Sequence, residues 1–380
     1  MPDFTHWESL ASTAGAVVRR RGRFLVADLT VPHQVIATSA LNGGQSTHVR
    51  FLVNHQSCEG SGHEARAHAV FADGQEAYHR TVSAEIGVPP EDAVIMGTAA
   101  NMNYAAVVTE SDADVSVIAV VTAGVQSNAT CAGDPASWRE TRDGVVKVPP
   151  VAGTINTILL TSVPLTPGAL ARTVVTMTEA KAAALYRLVI PSAASPDLAT
   201  GTGTDQFAIA APLNDVPPIT SASTHMKFGE IVGVAVRNAT LEALRWQNGL
   251  EPSYTRSLFH ALGRYGVKED SIFDDLAAVM EPAPLQLLRR NSRSVFFEPL
   301  AGAAAHALAG VMDRVRHQTL PASVASDAIV QQAASLAAAL ASQPDRWPEF
   351  RARLHARGST DLKGTVLAAI ALGWTAKWSN

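Results

Sequence analysis

Cysteine is nearly absent from this chain: 380 residues carry two, Cys58 and Cys131. Two thiols cannot build a disulfide scaffold, so both are expected to be free in a reducing compartment. Charge is also sparse, at 17% of residues with a net value of −4, and the single basic run, residues 19–23, is short and interrupted by Gly22. No positive field is available for a polyphosphate backbone, which argues against a nucleic-acid partner. The opening M-P-D-F-T-H-W-E-S-L has acidic residues where a secretory signal needs positive ones, and the alanine-rich segments near the C-terminus are interrupted by Asp, Arg, Gln and Pro. The expectation is a cytoplasmic protein with no membrane span. No phosphate-binding or dinucleotide glycine pattern occurs, and no repeat of fixed period.

What is present is apolar content of 47% in a chain long enough for two or three core units. Residues 23–29, 34–38, 48–53, 93–97, 104–109, 114–123 and 155–161 are apolar or alternating runs that read as strands. A helix opening at Pro167 and Gly168 carries Glu179 and Lys181, and an amphipathic helix over residues 226–248 has His225, Lys227 and Glu230 at its N-terminal end. From Glu251 onward β-branched runs vanish and alanine and leucine dominate, which predicts four to six helices and few catalytic groups beyond His260 and His306. The fold class is therefore α/β, a mixed β-sheet with helices, over residues 1–248, followed by an all-helical C-terminal region over residues 249–380. The arginines of that region read as a solvated face.

Several predicted strands end in clusters of Gly, Asn, Ser and Thr, so one sheet edge is expected to carry a pocket of neutral hydrogen-bonding groups. Asn42, Gly43 and Gly44 follow one strand; Asn128 follows another; Asn156 sits on the central one. The turn A-T-G-T-G-T-D at 199–205 packs Thr202, Thr204 and Asp205 among glycines that let a ligand approach the main chain. A separate stretch, N-H-Q-S-C-E-G-S-G-H-E-A-R-A-H at 54–68, gathers His55, Cys58, His63 and His68 near the start of an expected helix at Ser61 and Gly62. Such groups can ligate a soft metal such as zinc, but their spacing fits no standard zinc frame. They can also supply a thiol nucleophile with His55 or His63 as base, or be packing and surface residues.

G-T-I-N at 153–156, T-E-A-K at 178–181, A-T-G-T-G-T-D, H-M-K-F-G-E at 225–230, S-A-L-N-G-G at 39–44 and T-A-G-V-Q-S-N-A-T-C-A-G-D at 122–134 occur in that family's order; together they resemble the adenosylcobinamide amidohydrolases of corrinoid salvage. The resemblance covers residues 22–248. It implies hydrolysis of the amide joining an aminopropanol arm to a corrin-ring propionate, giving adenosylcobyric acid, with the corrinoid as substrate; no cofactor is expected, and a metal such as zinc stays open. The cluster at His55, Cys58 and His63 then reads as a subfamily feature.

Amide hydrolysis needs a nucleophile, a holder for the oxyanion and an acid for the leaving amine. Four schemes are open: metal-bound water at the histidine cluster; attack by Cys58; attack by Thr154 after backbone cleavage frees its amine; or direct water attack with Asp205 or Glu179 as base and Lys181 or His225 as acid. The last is favoured because its residues lie inside the resembling motifs. Asn42, Gly43, Gly44, Asn128, Asn156, Thr202 and Thr204 are expected to hold substrate. A corrinoid-binding module without chemistry, and an amidohydrolase of the same fold for another amide, are the alternatives. Whether identical chains assemble is left open.

Overall fold

The computed structural model describes residues 3–59, 73–136, 138–141, 144–147, 153–357 and 361–378. The chain forms two compact units, Met1–Gly249 and Leu250–Asn380.

In the first unit β-branched and apolar residues come in near-continuous runs, the central strands buried on both faces, and the strands they form make two large sheets. One sheet has β1 (Glu8–Thr13), β2 (Ala16–Arg21), β3 (Phe24–Leu29), β6 (Phe51–Gln56) and β7 (Ala93–Thr98) as neighbours in that order. The other runs β5 (Gly44–Ser46), β4 (His33–Ala37), β15 (Gln206–Pro212), β13 (Thr154–Thr161), β9 (Val115–Gly124) and β8 (Ala106–Asp112). Two short pairs complete the strands, β10 (Ala129–Thr130) with β14 (Gly201–Thr202) and β11 (Trp138–Thr141) with β12 (Gly144–Lys147).

Alternation sorts the side chains. Leu25, Ala27, Leu52, Val94 and Met96 of the first sheet meet Ile118, Val120, Ile158, Leu160, Ala208 and Ala210 of the second in one buried core. The first sheet's other face, with Phe24, Val26, Phe51, Val53 and Ile95, is covered by α1 (Gly74–Ile86) through Tyr78, Val82 and Ile86. The second sheet's other face carries α3 (Lys227–Asn248) along β9 and β8, with α2 (Pro167–Arg187) packed beside α3. The result is two sheets between helical layers. Thr166 caps α2 by accepting from Ala169 N, and Pro167 occupies the first turn, where its missing N–H costs nothing.

The arginine run expected as a short basic patch spans the end of strand β2 and the turn after it. Arg19 pairs with Asp28, Arg20 with Glu8, and Arg21 lies over the Trp7 ring. The expected helix start at Ser61 and Gly62, with His63 and His68, lies outside the described residues.

The second unit is helical, with nine α-helices among the described residues. Ala322–Ala341 meets the length and composition of a membrane span, in contrast to the expectation of none. Its buried face, including Ala333, Leu336, Ala337 and Leu340, belongs to that unit's own core, as do Phe296, Phe350 and Ile370. Some of its arginines lie over rings, Arg289 over Phe273 and Arg293 over Phe297.

Candidate functional site

The C-terminal ends of β4, β6 and β7 and the N-terminal ends of β13 and β15 meet at one edge of the sandwich. They surround a cavity of about 520 Å³. Each strand hands over to a polar turn there: Thr38 and Ser39 after β4, Ser57 and Cys58 after β6, Gly97 to Ala99 around the end of β7, Gly153 and Thr154 entering β13, and Thr204 to Gln206 entering β15. α1 supplies Tyr78 and His79. β13 and β15 run parallel, so their beginnings fall side by side.

Asp205 is the most heavily bonded group of this edge. Its Oδ1 accepts from Ile155 N at 2.9 Å and from Thr202 Oγ1 at 2.5 Å; its Oδ2 accepts from Thr202 N at 3.0 Å and from Lys181 Nζ. Four donors occupy the lone pairs a general base would use. The expected role of Asp205 as proton acceptor for water is therefore poorly served. Its geometry ties the G-T-G-T turn, β13 and α2 together. Gly201 is required for this, since a Cβ there would stand 2.4 Å from Asp205 Oδ2 and 2.8 Å from Lys181 Nζ.

Around Thr154 the polar contacts are short. Thr154 Oγ1 lies 2.6 Å from Thr204 Oγ1, and both hydroxyls donate to Gly153 O, at 2.8 and 2.7 Å. Asn128 Nδ2 reaches the same carbonyl oxygen at 2.8 Å. Deeper, Asn156 is fully buried: its Nδ2 donates to Asn54 Oδ1 at 2.9 Å and to Gly97 O at 3.2 Å, while its Oδ1 has no partner. Asn54 Nδ2 in turn donates to Thr122 Oγ1. Asn156 thus supports the floor of the site from between the sheets.

Three expected site residues are placed elsewhere. Glu179 is exposed on α2, two positions from Lys181 and facing away from it. His225 is exposed at the N-terminal end of α3. That helix ends beside the site, where Asn248 Oδ1 accepts from Val125 N, so 22 residues separate the two ends, about 30 Å. Asn42 gives both amide protons to Pro90 O and Ala93 O and braces the loop before β7. With Asn42 at φ 56° and Gly44 at φ 78°, and Ser39 O only 1.9 Å from where a Gly43 Cβ would stand, N-G-G is a tight turn. It presents Ser39, whose Oγ accepts from Ile95 N at 3.0 Å.

Cys58 does line the cavity. His55 is not set to act as its base, because it is 2% exposed, stacked on Phe24, and shares its Nδ1 with the Tyr78 hydroxyl at 2.8 Å. Burial pushes the His55 pKa down to about 4, so the ring is neutral at pH 7. Burial also raises the Tyr78 phenol, and the charge of Cys58 adds to that. His79 is held below its ordinary value by burial, its Nε2 donating to Pro90 O at 2.9 Å. Among the described residues no three His, Cys, Asp or Glu side chains converge as a metal site would need.

Sequence reasoning passed over Thr38, Tyr78, His79 and Gln206. Gln206 Oε1 accepts from Gly97 N at 3.1 Å and links the two sheets across the cavity. Its place directly after Asp205 was the available signal.

A model of the adenosylcobinamide amidohydrolase family matches residues 9–252. An uncharacterized protein of Methanocaldococcus jannaschii is 37% identical over 183 residues, covering 46% of this chain and 71% of that protein. Among solved structures, a Pyrococcus horikoshii protein aligns over 63% of this chain and 82% of its own at 12% identity, with a TM-score of 0.29, too low to support an argument.

Proposed function

The chain belongs to the adenosylcobinamide amidohydrolase family, and we propose that it cleaves the amide between the aminopropanol arm of adenosylcobinamide and a corrin-ring propionate. The products are adenosylcobyric acid and aminopropanol. The observation that supports this reading most is the cavity at the strand ends, all of whose lining residues fall inside the matched stretch. Cavities of roughly 300 to 1,000 Å³ take drug-sized ligands. This one, at about 520 Å³, suits the amide arm and the ring edge that bears it, with the rest of the macrocycle outside. The neutral hydroxyl and amide groups of Ser39, Ser57, Thr98 and Gln206 match a substrate whose periphery is rich in carboxamides.

Thr154 is the nucleophile in this reading. Asn128 Nδ2 and the Thr204 hydroxyl are the donors within reach of a carbonyl oxygen placed beside it, and such preorganised donors commonly account for roughly 10²- to 10³-fold in rate each. Lys181 and Asp205 act as positioning residues, fixing the start of β13 and the turn that presents Thr204. No cofactor enters the scheme, and a cytoplasmic setting with both cysteines as thiols accords with it.

Incubating the purified protein with adenosylcobinamide and following adenosylcobyric acid and aminopropanol by chromatography tests the proposal. Release of both in equal amounts is the expected result. Tight binding without turnover would favour a corrinoid carrier, and neither binding nor turnover would point to another amide.

A further inference from the structure

The peptide bond between Gly153 and Thr154 is surrounded as a bond about to be broken would be. A backbone carbonyl oxygen has two lone pairs, yet three side-chain donors stand within 2.8 Å of Gly153 O: Asn128 Nδ2, Thr204 Oγ1 and Thr154 Oγ1. A tetrahedral oxyanion accommodates three donors better than a planar carbonyl does. The two threonine hydroxyls also lie 2.6 Å from each other, so two protons serve three contacts. When Thr204 donates to Gly153 O and Thr154 donates to Thr204, the Thr154 oxygen keeps its lone pairs beside the carbonyl group it abuts. Gly153 cannot be replaced without moving this arrangement, because at φ 157° a Cβ would stand 2.9 Å from Asn128 Cβ and 3.0 Å from Gly124 O. Both Gly153 and Thr154 line the cavity, which gives water access to the bond.

We propose that the chain cuts itself between Gly153 and Thr154. Thr154 Oγ adds to the Gly153 carbonyl carbon, and its proton passes through the Thr204 hydroxyl to the Thr154 nitrogen. The C–N bond then breaks, leaving a free Thr154 amine and an ester between Gly153 and Thr154 Oγ. Water hydrolyses the ester to a Gly153 carboxylate and restores the hydroxyl. The sum is one water added across one peptide bond, with no oxidant or cofactor. Resting on the amidohydrolase reading above, the new α-amine, with an ordinary pKa near 8, serves as base for its own hydroxyl. Asn128 and Thr204, relieved of Gly153, then face the substrate carbonyl. The two pieces stay together because β13 remains paired with β9 on one side and β15 on the other.

The test is intact mass and N-terminal sequencing of the full-length protein. Two fragments are expected, the second beginning T-I-N-T-I, with a combined mass greater than the whole chain by one water. They should co-elute on gel filtration and separate only on a denaturing gel. Thr154→Ala should remain one chain and Thr154→Ser should cleave. Asn128→Ala should cleave at least about ten times more slowly, which keeps the proposal open to refutation even where Thr154→Ala folds poorly. An unbroken wild-type chain after prolonged incubation, or a break that persists in folded Thr154→Ala, overturns it. Turnover is read separately: a cleaved chain inert toward adenosylcobinamide leaves self-cleavage standing and removes the substrate assignment, whereas an unbroken chain that hydrolyses it does the reverse.

Discussion

Lys181 and Asp205, 24 residues apart, form an ion pair whose side chains are only 15% and 17% exposed. The pair joins the middle of α2 to the start of β15, and through Ile155 N it also reaches the start of β13. One carboxylate therefore holds three separate segments at the place where the cavity opens.

Asp205→Asn should fold but lose about 2–4 kcal/mol of stability, because it leaves the Lys181 ammonium without its counter-charge. Turnover of adenosylcobinamide should fall at least about a hundredfold as Thr154 and Thr204 lose their register. In a double-mutant cycle with Lys181→Met the two costs should fail to add, with a coupling of about 1–3 kcal/mol in urea denaturation. Strict additivity would show that the pair does not act as a unit.

Stability should decline on mild acidification. The His55 pKa is depressed to about 4 in the folded protein and stands near 6.5 when unfolded. The unfolded chain thus takes up the proton first, so the contribution is whole above about pH 6.5 and is lost as pH falls toward 4. Its ceiling is about 3 kcal/mol, and His33 and His79, also depressed by burial, act in the same direction. Urea midpoints measured at pH 7, 6 and 5 should show this slope, and His55→Gln should flatten it. An unchanged slope in that variant would place the effect elsewhere.

Cys58→Ser should keep turnover within about threefold, since a thiol that only lines the cavity is not spent in the reaction. Alkylation should inhibit the wild type by filling the cavity beside Ser57 and should leave Cys58→Ser untouched. Abolition of activity in the serine variant would make the thiol the nucleophile. Chelator treatment should leave the rate unchanged; loss on stripping with recovery on adding zinc would require a metal-bound water instead.

Gly43→Ala should be costly although Gly43 does not line the cavity. The added methyl meets Ser39 O at 1.9 Å, a contact that only backbone movement relieves, so a loss of about 2–4 kcal/mol is expected. The same movement withdraws Ser39 from Ile95 N and should raise KM more than it lowers kcat. A variant with wild-type melting and wild-type KM would contradict the turn geometry.

Much of this was legible from residue order. β-branched runs announced β13 and β9, and glycine-spaced threonines announced the turn that holds Thr204 and Asp205. β15 was not legible: Q-F-A-I-A-A-P is alanine-rich and weak as a strand, and only its place between β13 and β4 makes it one. α1 reads as polar, because only Tyr78, Val82 and Ile86 of its apolar residues face the sheet. Glu179 and His225 lie in the right motifs, but a motif does not reveal which way a helix turns or which end of a sheet it occupies. Two of the nine C-terminal helices, Trp347–Arg357 and Ser292–Phe296, are too charged or too short for apolar spacing to show, and Pro252–Thr255 and Leu258–Leu262 read as a single helix, so the sequence predicts no more than six.

The parallel pairing of β13 with β15 has a consequence in time. Thr154 leaves the ribosome 50 residues before Thr204, its hydroxyl partner. At synthesis rates of roughly 5–20 residues per second, that is a delay of about 3–10 s. Until α2 has crossed over and β15 has docked, Gly153 O lacks its Thr204 donor, so under the self-cleavage proposed above the bond at Gly153 would stay whole in the nascent chain. Its rupture would be a timestamp, written once per molecule, recording that the crossover had closed.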